Sequence, residues 1–584
     1  MSDSKAERTG YYPGKDVRNN VNSFLDRHLI ERPDLIPLRW VEPSDLRAWS
    51  FKLEDPLPHL SVSLKDFEQK ISSVAQGYLN LGIEQGDRVI LFLPMSLDMY
   101  VAMFALQKIG AIAVFLDSWA RRGSLGECAK TVSPKAMVSF HQAFEGVGGE
   151  PEIAKIPLKI VKGSFPSNVA YSATFESLLA SPATSKTAAV EMEETALITF
   201  TTGSSGVPKG ANRTHRFLAA QHYELHACIP YREADIDLPI FPIFSLNNLA
   251  EGVSTVIPAL DVGVPSERDA LILIAQMRAN GVTCTTLSPS LLNGLSAYCL
   301  KNKISLPHLR RAATGGAPVS RDNLIDFTEV AENAEVWVLY GSTEAEPMAH
   351  IEAQPMIHSR TKASEDADWV DEGVNVGHLV DSLERKFLKI NPDPITVSAA
   401  LDWEALEVKK GAVGELIVAG EHVCRDYYNN AQAFHRAKIR DERGVVWHRT
   451  GDLGRLDEDG QLWIVGRVHN VIKRLEEYHF PVRAEIVLKK LPFVRYGAYL
   501  GFPDSRLGEK IVAVIVPNDA EALNAKAELE EYRSEVRRLM DKNGITVDEI
   551  VIRNAMPMDP RHHSKVEYDS LRREMINNGE VSGE

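Results

Sequence analysis

An alternation of short apolar runs with helical segments constrains the fold of this chain most strongly. Val89–Leu93 and Ile112–Leu116 have the length and character of buried strands, and Leu97–Ile109 between them has a helical pattern. The alternation returns at four later runs, namely Leu197–Phe200, Thr283–Leu287, Leu309–Thr314 and Glu335–Leu339. Strands that alternate with helices are typical of a mostly parallel sheet covered by helices. The pattern therefore predicts an α/β fold, with a segregated α+β arrangement as the alternative.

The character of the sequence changes after about residue 410. Gly411–Gly420 and Val445–Val465 are rich in glycine and β-branched residues, and Asp459-Gly460 is typical of a hairpin turn. Three further segments indicate a small terminal α+β unit: Val482–Leu491, Ile511–Val516 and a charged helix over Glu521–Asn543. We therefore expect a domain boundary near Gly466-Arg467, which separates residues 1–466 from residues 467–584.

The charge balance excludes several classes of protein. The 584 residues include 65 Lys and Arg against 80 Asp and Glu, which gives a net charge of −15. Such a chain is not expected to coat nucleic-acid phosphates, because that binding needs a basic face. The composition, with 44% hydrophobic and 25% charged residues, is close to globular averages and excludes a disordered or collagen-like chain.

Cysteine usage and the N-terminus predict a cytoplasmic protein. The five cysteines are far apart and form no C-x-x-C motif, which fits a reducing compartment and argues against a zinc module. The N-terminus, MSDSKAERTG, carries no apolar signal region. The longest apolar stretch, Val89–Leu116, is interrupted by Pro94, Asp98 and Lys108. It does not predict a membrane-spanning helix, which needs about 20 mainly apolar residues.

A loop suited to phosphate follows the run Leu197–Phe200. Residues 199–210 read TFTTGSSGVPKG, and Gly203 and Gly206 let the backbone approach a ligand closely. Hydroxyl groups and one cation complete the loop, contributed by Thr201, Thr202, Ser204, Ser205 and Lys209. Small donors and a lysine after a strand suit a phosphate chain. The spacing is not that of a P-loop, and a Ser/Gly-rich surface linker is the alternative.

This loop resembles the signature phosphate loop of the acyl-adenylate-forming superfamily, which includes acyl-CoA synthetases, nonribosomal-peptide adenylation domains and beetle luciferases. The family's other motifs follow in order. Ala313–Pro318, which contains Gly315, Gly316 and Ala317, is similar to the adenine-side turn. Residues 340–346, YGSTEAE, come after Val336–Leu339 and resemble the next motif. There the resemblance implies that Tyr340 lies against adenine, that Gly341 also contacts the nucleotide, that Thr343 touches phosphate and that Glu344 holds Mg²⁺.

Three later segments extend the resemblance to the C-terminus. Residues 449–452, RTGD, resemble the family's ribose motif, in which Asp452 would accept hydrogen bonds from both ribose hydroxyls. Arg467 matches the arginine at the domain junction, and the pivot two residues later falls on His469, where relatives usually have Asp or Lys. Residues 559–565, DPRHHSK, place Lys565 in register with the family's catalytic lysine. Such a lysine neutralises charge while an acyl oxygen attacks the α-phosphorus.

The resemblance implies an architecture and a reaction. Residues 1–466 would form two α/β subdomains and a small β subdomain, and residues 467–584 a mobile α+β domain. ATP, Mg²⁺ and a small carboxylic acid would give acyl-AMP and pyrophosphate. The implied nucleotide-binding residues are Thr202, Gly203, Ser204, Ser205, Lys209, Gly315, Gly316, Ala317, Tyr340, Gly341, Thr343, Asp452, Arg467 and Lys565. The implied catalytic residues are Lys565, Glu344 and Thr202.

The chain departs from acyl-CoA synthetases at two places. The junction loop of those enzymes has a glycine where this chain has Glu476, beside the path of the CoA pantetheine, which argues against thioester formation. In the acyl pocket, implied at Phe244 and Ser245, many relatives have His in place of Ser245. These segments and the tail RHHSK resemble the β-lactone synthetases of bacterial olefin biosynthesis, which adenylate a 3-hydroxy fatty acid and close a lactone without CoA. A fatty acid–CoA ligase, a luciferase-like oxidoreductase and a nucleotide-binding protein without catalysis are the alternatives.

Overall fold

The computed structural model describes residues 20–116, 122–163, 170–202, 208–260, 266–358, 370–519, 526–558 and 566–581. Its helices are α1 Phe24–Glu31, α2 Pro43–Ala48, α3 Leu64–Asn80, α4 Leu97–Lys108, α5 Arg122–Val132, α6 His141–Val147, α7 Pro151–Ala154, α8 Phe175–Leu179, α9 His215–Cys228, α10 Pro242–Glu251, α11 Glu267–Asn280, α12 Pro289–Asn302, α13 Arg321–Val330, α14 Ala353–His358, α15 Ala400–Leu406, α16 Ala431–Ala437, α17 Pro481–Lys489, α18 Lys526–Lys542 and α19 Tyr568–Asn577. Val21–Ser23 and Val468–Asn470 are 3₁₀ turns.

The first sheet has the parallel βαβ arrangement that the sequence predicts. Its strands are β3 Arg88–Phe92, β4 Ile112–Phe115, β5 Ala136–Phe140, β6 Leu158–Lys162, β7 Ala173–Thr174, β8 Thr195–Thr202 and β9 Pro208–Thr214, in the order β7-β6-β5-β3-β4-β8-β9. All neighbours are parallel except β8 and β9. Helix α4 crosses between β3 and β4, and Gly110, at φ +75°, ends it in the left-handed conformation that glycine tolerates. This crossover confirms the predicted strand, helix and strand.

The second sheet begins as a parallel sheet and continues as an antiparallel one. Its parallel strands are β1 Leu38–Trp40, β10 Ile236–Pro239, β11 Ser254–Val256, β12 Cys284–Leu287, β13 Arg311–Gly315 and β14 Glu335–Ser342, and β2 Leu60–Val62 pairs antiparallel with β1. The antiparallel continuation contains β15 Ala345–Glu352, β16 Val374–Leu379, β17 Glu384–Leu388, β18 Gly414–Ala419, β19 Lys438–Arg440, β20 Val446–Leu456 and β21 Leu462–Arg467. The predicted hairpin region therefore extends the second sheet and is not a separate one.

The C-terminal elements form their own sheets. β22 Ile472–Arg474 and β23 Glu477–His479 make a hairpin, and β24 Val494–Asp504, β25 Gly508–Pro517 and β26 Glu549–Ile552 make the other sheet. Helices α17 and α18 pack on the second of these in one apolar cluster that includes Leu488, Tyr499 and Val536. The charged helix predicted from residue 521 is seen over α18, and residues 521–525 lie outside the described ranges.

Contacts between α17, α18 and residue 370 join the C-terminal elements to the rest of the chain. Asn543 Oδ1 accepts a hydrogen bond from the Val370 amide at 2.9 Å, and Arg483 Nε donates to the Val370 carbonyl at 2.9 Å. None of the helices in the described ranges has the length and apolar surface that crossing a bilayer requires.

Candidate active site

The described ends of the predicted phosphate loop are held by β8 and β9. Thr201 pairs with Lys209 and Thr202 with Pro208 across this antiparallel ladder. The predicted phosphate contacts Gly203, Ser204 and Ser205 lie outside the described residues. Thr202 is the last residue of β8, so the structure fixes its backbone at the entrance to the loop.

Lys209 lies beside the aromatic ring of Tyr427. Its Nζ is 5.8 Å from the ring centroid, and Tyr427 is brought to β9 by an antiparallel bridge to Ala211. Burial lowers the pKa of Lys209, while the negative charge of Glu344 acts to raise it. Tyr427 also donates a hydrogen bond from its hydroxyl to Glu344 Oε1 at 2.8 Å. One tyrosine therefore links the lysine and the carboxylate that the sequence assigns to the phosphate site.

The turn that carries Glu344 is tied to its neighbours through the backbone. Arg213 Nη2 donates to the Thr343 carbonyl at 2.9 Å, and the Cys424 amide donates to the Glu344 carbonyl at 2.7 Å. Arg213 is buried and lies on the Phe217 ring, with its guanidinium 5.4 Å from the ring centroid. These contacts fix the direction of the Glu344 side chain from both sides of the turn.

The electrostatic surroundings keep Glu344 ionised. Burial alone would raise the pKa of its carboxyl, but Lys438 and a hydrogen bond from the Tyr427 hydroxyl act to lower it, and the pKa lies below its usual value. Burial and the charge of Lys438 lower the pKa of His448 to about 3, so the imidazole is neutral at pH 7 and adds no charge. Burial also lowers the pKa of Lys438, which the charge of Glu344 acts to raise, and the Lys438 ammonium lies 5.2 Å from the centroid of the Tyr427 ring.

A single carboxylate beside a phosphate loop suits Mg²⁺ better than a metal held only by protein. Among the described residues, no group of three or more His, Cys, Asp or Glu side chains could hold a metal ion. Mg²⁺ is usually bound by one or two carboxylates together with substrate phosphates and water. The donor set around Glu344 therefore fits an ion that arrives with a nucleotide.

The end of β13 leaves a flat surface beside β14. A Cβ on Gly315 would lie 2.2 Å from the Leu339 carbonyl oxygen, so only glycine fits there. Gly316 follows at φ +84°, which is a left-handed conformation that favours glycine. Ala317 comes next, outside the strand. Tyr340 and Gly341, which the sequence places after a strand, belong to β14 itself because the strand continues to Ser342.

Three residues predicted to bind the nucleotide form one hydrogen-bond network: Asp452, Tyr340 and Arg467. Asp452 Oδ2 accepts a hydrogen bond from the Tyr340 hydroxyl at 2.8 Å, and its Oδ1 accepts one from Arg467 Nε at 2.8 Å. Asp452 and Arg467 face each other across β20 and β21. The Asp452 amide is held in turn by Thr450 Oγ1 at 3.0 Å. The Asp452 charge raises the pKa of Arg467.

Arg449 of the same motif has a structural role in this fold. Its guanidinium donates to both carboxylate oxygens of Glu415, with Nη2 2.5 Å from Oε2, and Nη1 donates to the Asp393 carbonyl at 2.6 Å. Both side chains are almost fully buried. The ion pair braces β20 against β18.

The predicted acyl-pocket residues lie on α10. Phe244 packs with Ala313, Leu339 and Ala345 in an apolar cluster, so it links α10 to the two strands that carry the candidate adenine residues. Ser245 is fully buried, and within the described ranges its hydroxyl has no partner in ordinary hydrogen-bond geometry. It lies beside the Tyr100 hydroxyl of α4, whose pKa it lowers against the larger rise that burial causes.

The predicted domain junction comes directly after β21. His469 lies in the 3₁₀ turn Val468–Asn470, and burial together with Arg449 lowers its pKa, while Asp569 acts to raise it. The hairpin β22–β23 corrects one sequence expectation. The left-handed residue of its turn is Leu475, at φ +54°, and not Glu476, which is exposed and has an ordinary φ. The left-handed backbone conformation expected at Glu476 therefore occurs at Leu475 instead.

The predicted catalytic lysine lies outside the described residues. Lys565 belongs to residues 559–565, and the residues on either side, Met558 and Val566, pair as an antiparallel bridge. Three residues later, the Tyr568 hydroxyl donates a hydrogen bond to Glu485 of α17.

Three residues at the site escape sequence reasoning. Tyr427, Lys438 and His448 surround Glu344, although Tyr427 is 83 positions away from it in the chain. None belongs to a motif that the sequence singles out. The one available signal is the isolated pair of tyrosines at 427 and 428, and it has no spacing that points to a nucleotide.

Known proteins resemble this chain over nearly its whole length. The AMP-binding enzyme family matches residues 50–428. Olefin β-lactone synthetases of Stenotrophomonas maltophilia and Xanthomonas campestris are 28% and 29% identical to it, over 94% of this chain and 97% and 96% of theirs. An acyl-CoA ligase designated YdaB, described as putative, from Bacillus subtilis is 25% identical over 79% of this chain and 86% of its own.

Solved structures share the fold. The anthranilate CoA ligase AuaEII in complex with anthranoyl-AMP superposes with a TM-score of 0.76 at 17% identity, over 98% of this chain and 100% of its own. ATP-bound MatB from Rhodopseudomonas palustris has a TM-score of 0.73 at 19% identity, over 96% and 99%. At these identities the likeness concerns the fold, and it confirms the predicted α/β class with a large N-terminal region.

Proposed function

Because the chain belongs to the AMP-binding enzyme family, we propose that it activates a 3-hydroxy fatty acid with ATP and then closes a β-lactone. In the first step a carboxylate oxygen attacks the α-phosphorus of ATP, which gives acyl-AMP and releases pyrophosphate. In the second step the substrate's hydroxyl oxygen bonds to the acyl carbon. The bond from that carbon to the AMP oxygen breaks, AMP leaves, and the hydroxyl proton passes to solvent.

The observation that supports the activation step is that the hydrogen bonds around Asp452 and the charges around Glu344 lie in one site. The Tyr340–Asp452–Arg467 network offers a carboxylate to a ribose, and the charge of Glu344 reaches Arg467 as well as Lys209. We assign the ribose hydroxyls to Asp452 and the flat surface at Gly315 and Gly316 to adenine. Phosphates would then lie toward Lys209 and residues 202–205.

The roles of charge follow from this placement. Mg²⁺ bound at Glu344 would neutralise the pyrophosphate leaving group. Lys209 remains a phosphate contact because the carboxylate of Glu344 opposes the loss of its proton on burial. Lys565 would approach the acyl carboxylate from the C-terminal domain, which we place after residue 466 with its pivot at His469. A charge donor brought to the reacting oxygens lowers the barrier by stabilising the charge that develops there.

The lactone step draws its support from the relatives. Two proteins named olefin β-lactone synthetase match about nine-tenths or more of both chains. The exposed carboxylate of Glu476, at the hairpin where CoA-using relatives have glycine, would repel the phosphates of CoA. A hydroxyl within the same substrate needs no second binding event, and its effective concentration is high.

A fatty acid–CoA ligase is the second candidate function. It is favoured by relatives and solved structures that are named as CoA ligases. Mass spectrometry distinguishes the two candidates when ATP is supplied with a long-chain 3-hydroxy acid, or with the unsubstituted acid, each with and without CoA. We expect AMP and a product one water lighter than the hydroxy acid without CoA, and a bound acyl-AMP from the unsubstituted acid. CoA-dependent thioester from the unsubstituted acid, with no lactone from the hydroxy acid, would establish the ligase instead.

A further inference from the structure

A small cavity of about 40 Å³ lies between α4, α9, α10 and the 3₁₀ turn Val21–Ser23. Most of its wall is apolar, with contributions from Phe24, Phe104, Leu218 and Leu246. Four polar side chains interrupt this wall: Gln107, Gln221, His222 and Asn247. The space suits a small polar group and not a whole acyl chain, and apolar walls with a few placed polar groups are typical of ligand sites.

Gln221 is the residue of this cavity that the fold leaves unsatisfied. Its side chain is 1% exposed, and neither its Oε1 nor its Nε2 has a hydrogen-bond partner among the described residues. His222 and Asn247 are paired with each other, with Nδ1 2.8 Å from Oδ1, although Asn247 Nδ2 also lacks a partner in the described part of the chain. A buried amide without partners is costly, and native proteins rarely keep one without a reason.

A second buried glutamine shows how this fold satisfies an amide that serves structure. Gln276 of α11 is also fully buried, but its Oε1 accepts from the Ala259 amide at 2.8 Å and its Nε2 donates to the Ile257 carbonyl at 3.0 Å. The contrast indicates that the amide of Gln221 is kept for a partner that is not part of the chain.

The cavity lies next to the candidate acyl pocket. Phe104 is one helical turn beyond Tyr100, whose hydroxyl lies beside that of Ser245. On α10, Leu246 and Asn247 directly follow Ser245 and line the cavity. A carboxylic acid whose carboxyl lies near Ser245 would therefore extend its first carbons toward Gln221.

We infer that Gln221 binds the hydroxyl group of the acyl substrate and selects hydroxylated acids over unsubstituted ones. A hydroxyl is the smallest group that is both donor and acceptor, so it can donate to Oε1 and accept from Nε2. An acid without the hydroxyl leaves the amide unpaired in the complex, and sites built this way discriminate strongly. The inference rests on the proposed function, and it adds the residue that recognises the substrate.

Two substitutions test the inference against a structural role. Gln221→Met keeps the length of the side chain and removes the amide, and Gln276→Met does the same at the satisfied glutamine. Pyrophosphate release in the first turnover gives kcat/KM of adenylation for a 3-hydroxy acid and for the unsubstituted acid of the same length, and thermal denaturation gives Tm. The ratio of the two kcat/KM values is the preference.

We expect the wild-type protein to prefer the hydroxy acid by about tenfold or more, as two hydrogen bonds to the substrate predict. Gln221→Met should reduce the preference to within about twofold, because kcat/KM for the hydroxy acid falls and that for the unsubstituted acid does not. Its Tm should be unchanged or raised, because an unpaired amide has been removed. Gln276→Met should lower Tm and keep the preference.

Four results would overturn the inference: no preference in the wild-type protein, an unchanged preference in folded Gln221→Met, a loss of Tm in Gln221→Met equal to that in Gln276→Met, or failure of both Gln221→Met and Gln221→Leu to fold. The last two would show that the amide binds water or backbone for structure. Absence of pyrophosphate release with every acid would contradict the proposed function, whereas release from both acids without preference contradicts this inference alone.

Discussion

Removal of the Asp452 carboxylate should weaken nucleotide binding and destabilise the fold by similar amounts. Asp452 accepts two hydrogen bonds of 2.8 Å, from Tyr340 and Arg467, and is 9% exposed. The Arg467 side chain is 53% exposed, so its ion pair with Asp452 contributes only about 0–1 kcal/mol to folding. The Tyr340 hydroxyl, left without its acceptor in Asp452→Ala, adds about 1–3 kcal/mol of destabilisation.

The expected loss of affinity follows from the hydrogen bonds that a ribose would make to the same carboxylate. Hydrogen bonds to a charged group contribute about 1.5–3 kcal/mol each, and part of this is offset because Tyr340 and Arg467 share the oxygens. We therefore expect Asp452→Ala to weaken AMP binding by about 1–3 kcal/mol, or about 5- to 150-fold in Kd. Asp452→Asn keeps one acceptor oxygen, so its affinity for AMP should lie between that of the wild-type protein and that of Asp452→Ala.

Calorimetric titration with AMP, together with thermal denaturation, measures both effects. Tyr340→Phe is the matched control, because it removes the hydroxyl that orients Asp452 and keeps the ring against the candidate adenine surface. Tyr340→Phe should raise the Kd for AMP by less than about fivefold. The double variant Tyr340→Phe/Asp452→Ala should lose no more affinity for AMP than Asp452→Ala alone, because the hydroxyl acts through the carboxylate. Binding of AMP by folded Asp452→Ala within about twofold of wild type would refute the ribose assignment.

Three further predictions concern charge. Glu344→Gln should reduce turnover, and excess Mg²⁺ should partly restore it, because one ligand of the ion has been lost; a loss insensitive to Mg²⁺ in initial-rate assays would contradict the assignment. Lys565→Ala should slow acyl-AMP formation by about 10²-fold or more with little change in ATP affinity, and pyrophosphate release at the wild-type rate would exclude its catalytic role. Burial raises the pKa of Glu485 to about 8, so the folded state keeps a proton that the unfolded state releases above about pH 4.5. The free energy of unfolding therefore falls as the pH rises from about 4.5 to about 8. Glu485→Gln should flatten the dependence of Tm on pH between about 5 and 8, and parallel curves for the two proteins would show that Glu485 is not the cause.

The sequence predicts those parts of the fold that depend on local pattern. The strand, helix and strand over residues 88–115 is found within one residue of its predicted limits, because apolar runs and Gly110 act over a few positions. The continuation of the second sheet from β15 to β16 and β21 was not predictable in the same way. It depends on pairing between segments that are about 90 residues apart, such as Val374 with Ile464.

The candidate site shows the same difference between features set by local sequence and features set by distant contacts. Motif residues such as Asp452 and Tyr340 can be named from the sequence, but their hydrogen bond joins positions 112 residues apart and could not be foreseen. The charges that set the ionisation of Glu344 come from Lys438 on a short strand with no motif. Arg449 shows the reverse case, because a motif residue proves to be half of a buried ion pair with Glu415.

The hairpin at the junction bears on how the proposed second step is selected. A leucine, 53% exposed, takes the left-handed position at Leu475, and its amide is held by the Leu507 carbonyl at 2.6 Å. The turn therefore forms without glycine, at a cost of about 1–2 kcal/mol in backbone strain. Loss of the glycine by itself does not remove the hairpin, so any obstacle to CoA lies in the bulk of Leu475 and the charge of Glu476. In the proposed reaction, exclusion of CoA would then result from repulsion at an exposed surface, which salt weakens. The proposed choice of the internal hydroxyl would need a positive contribution as well. An amide that holds this hydroxyl near the acyl carbon would provide it through proximity, which salt does not screen.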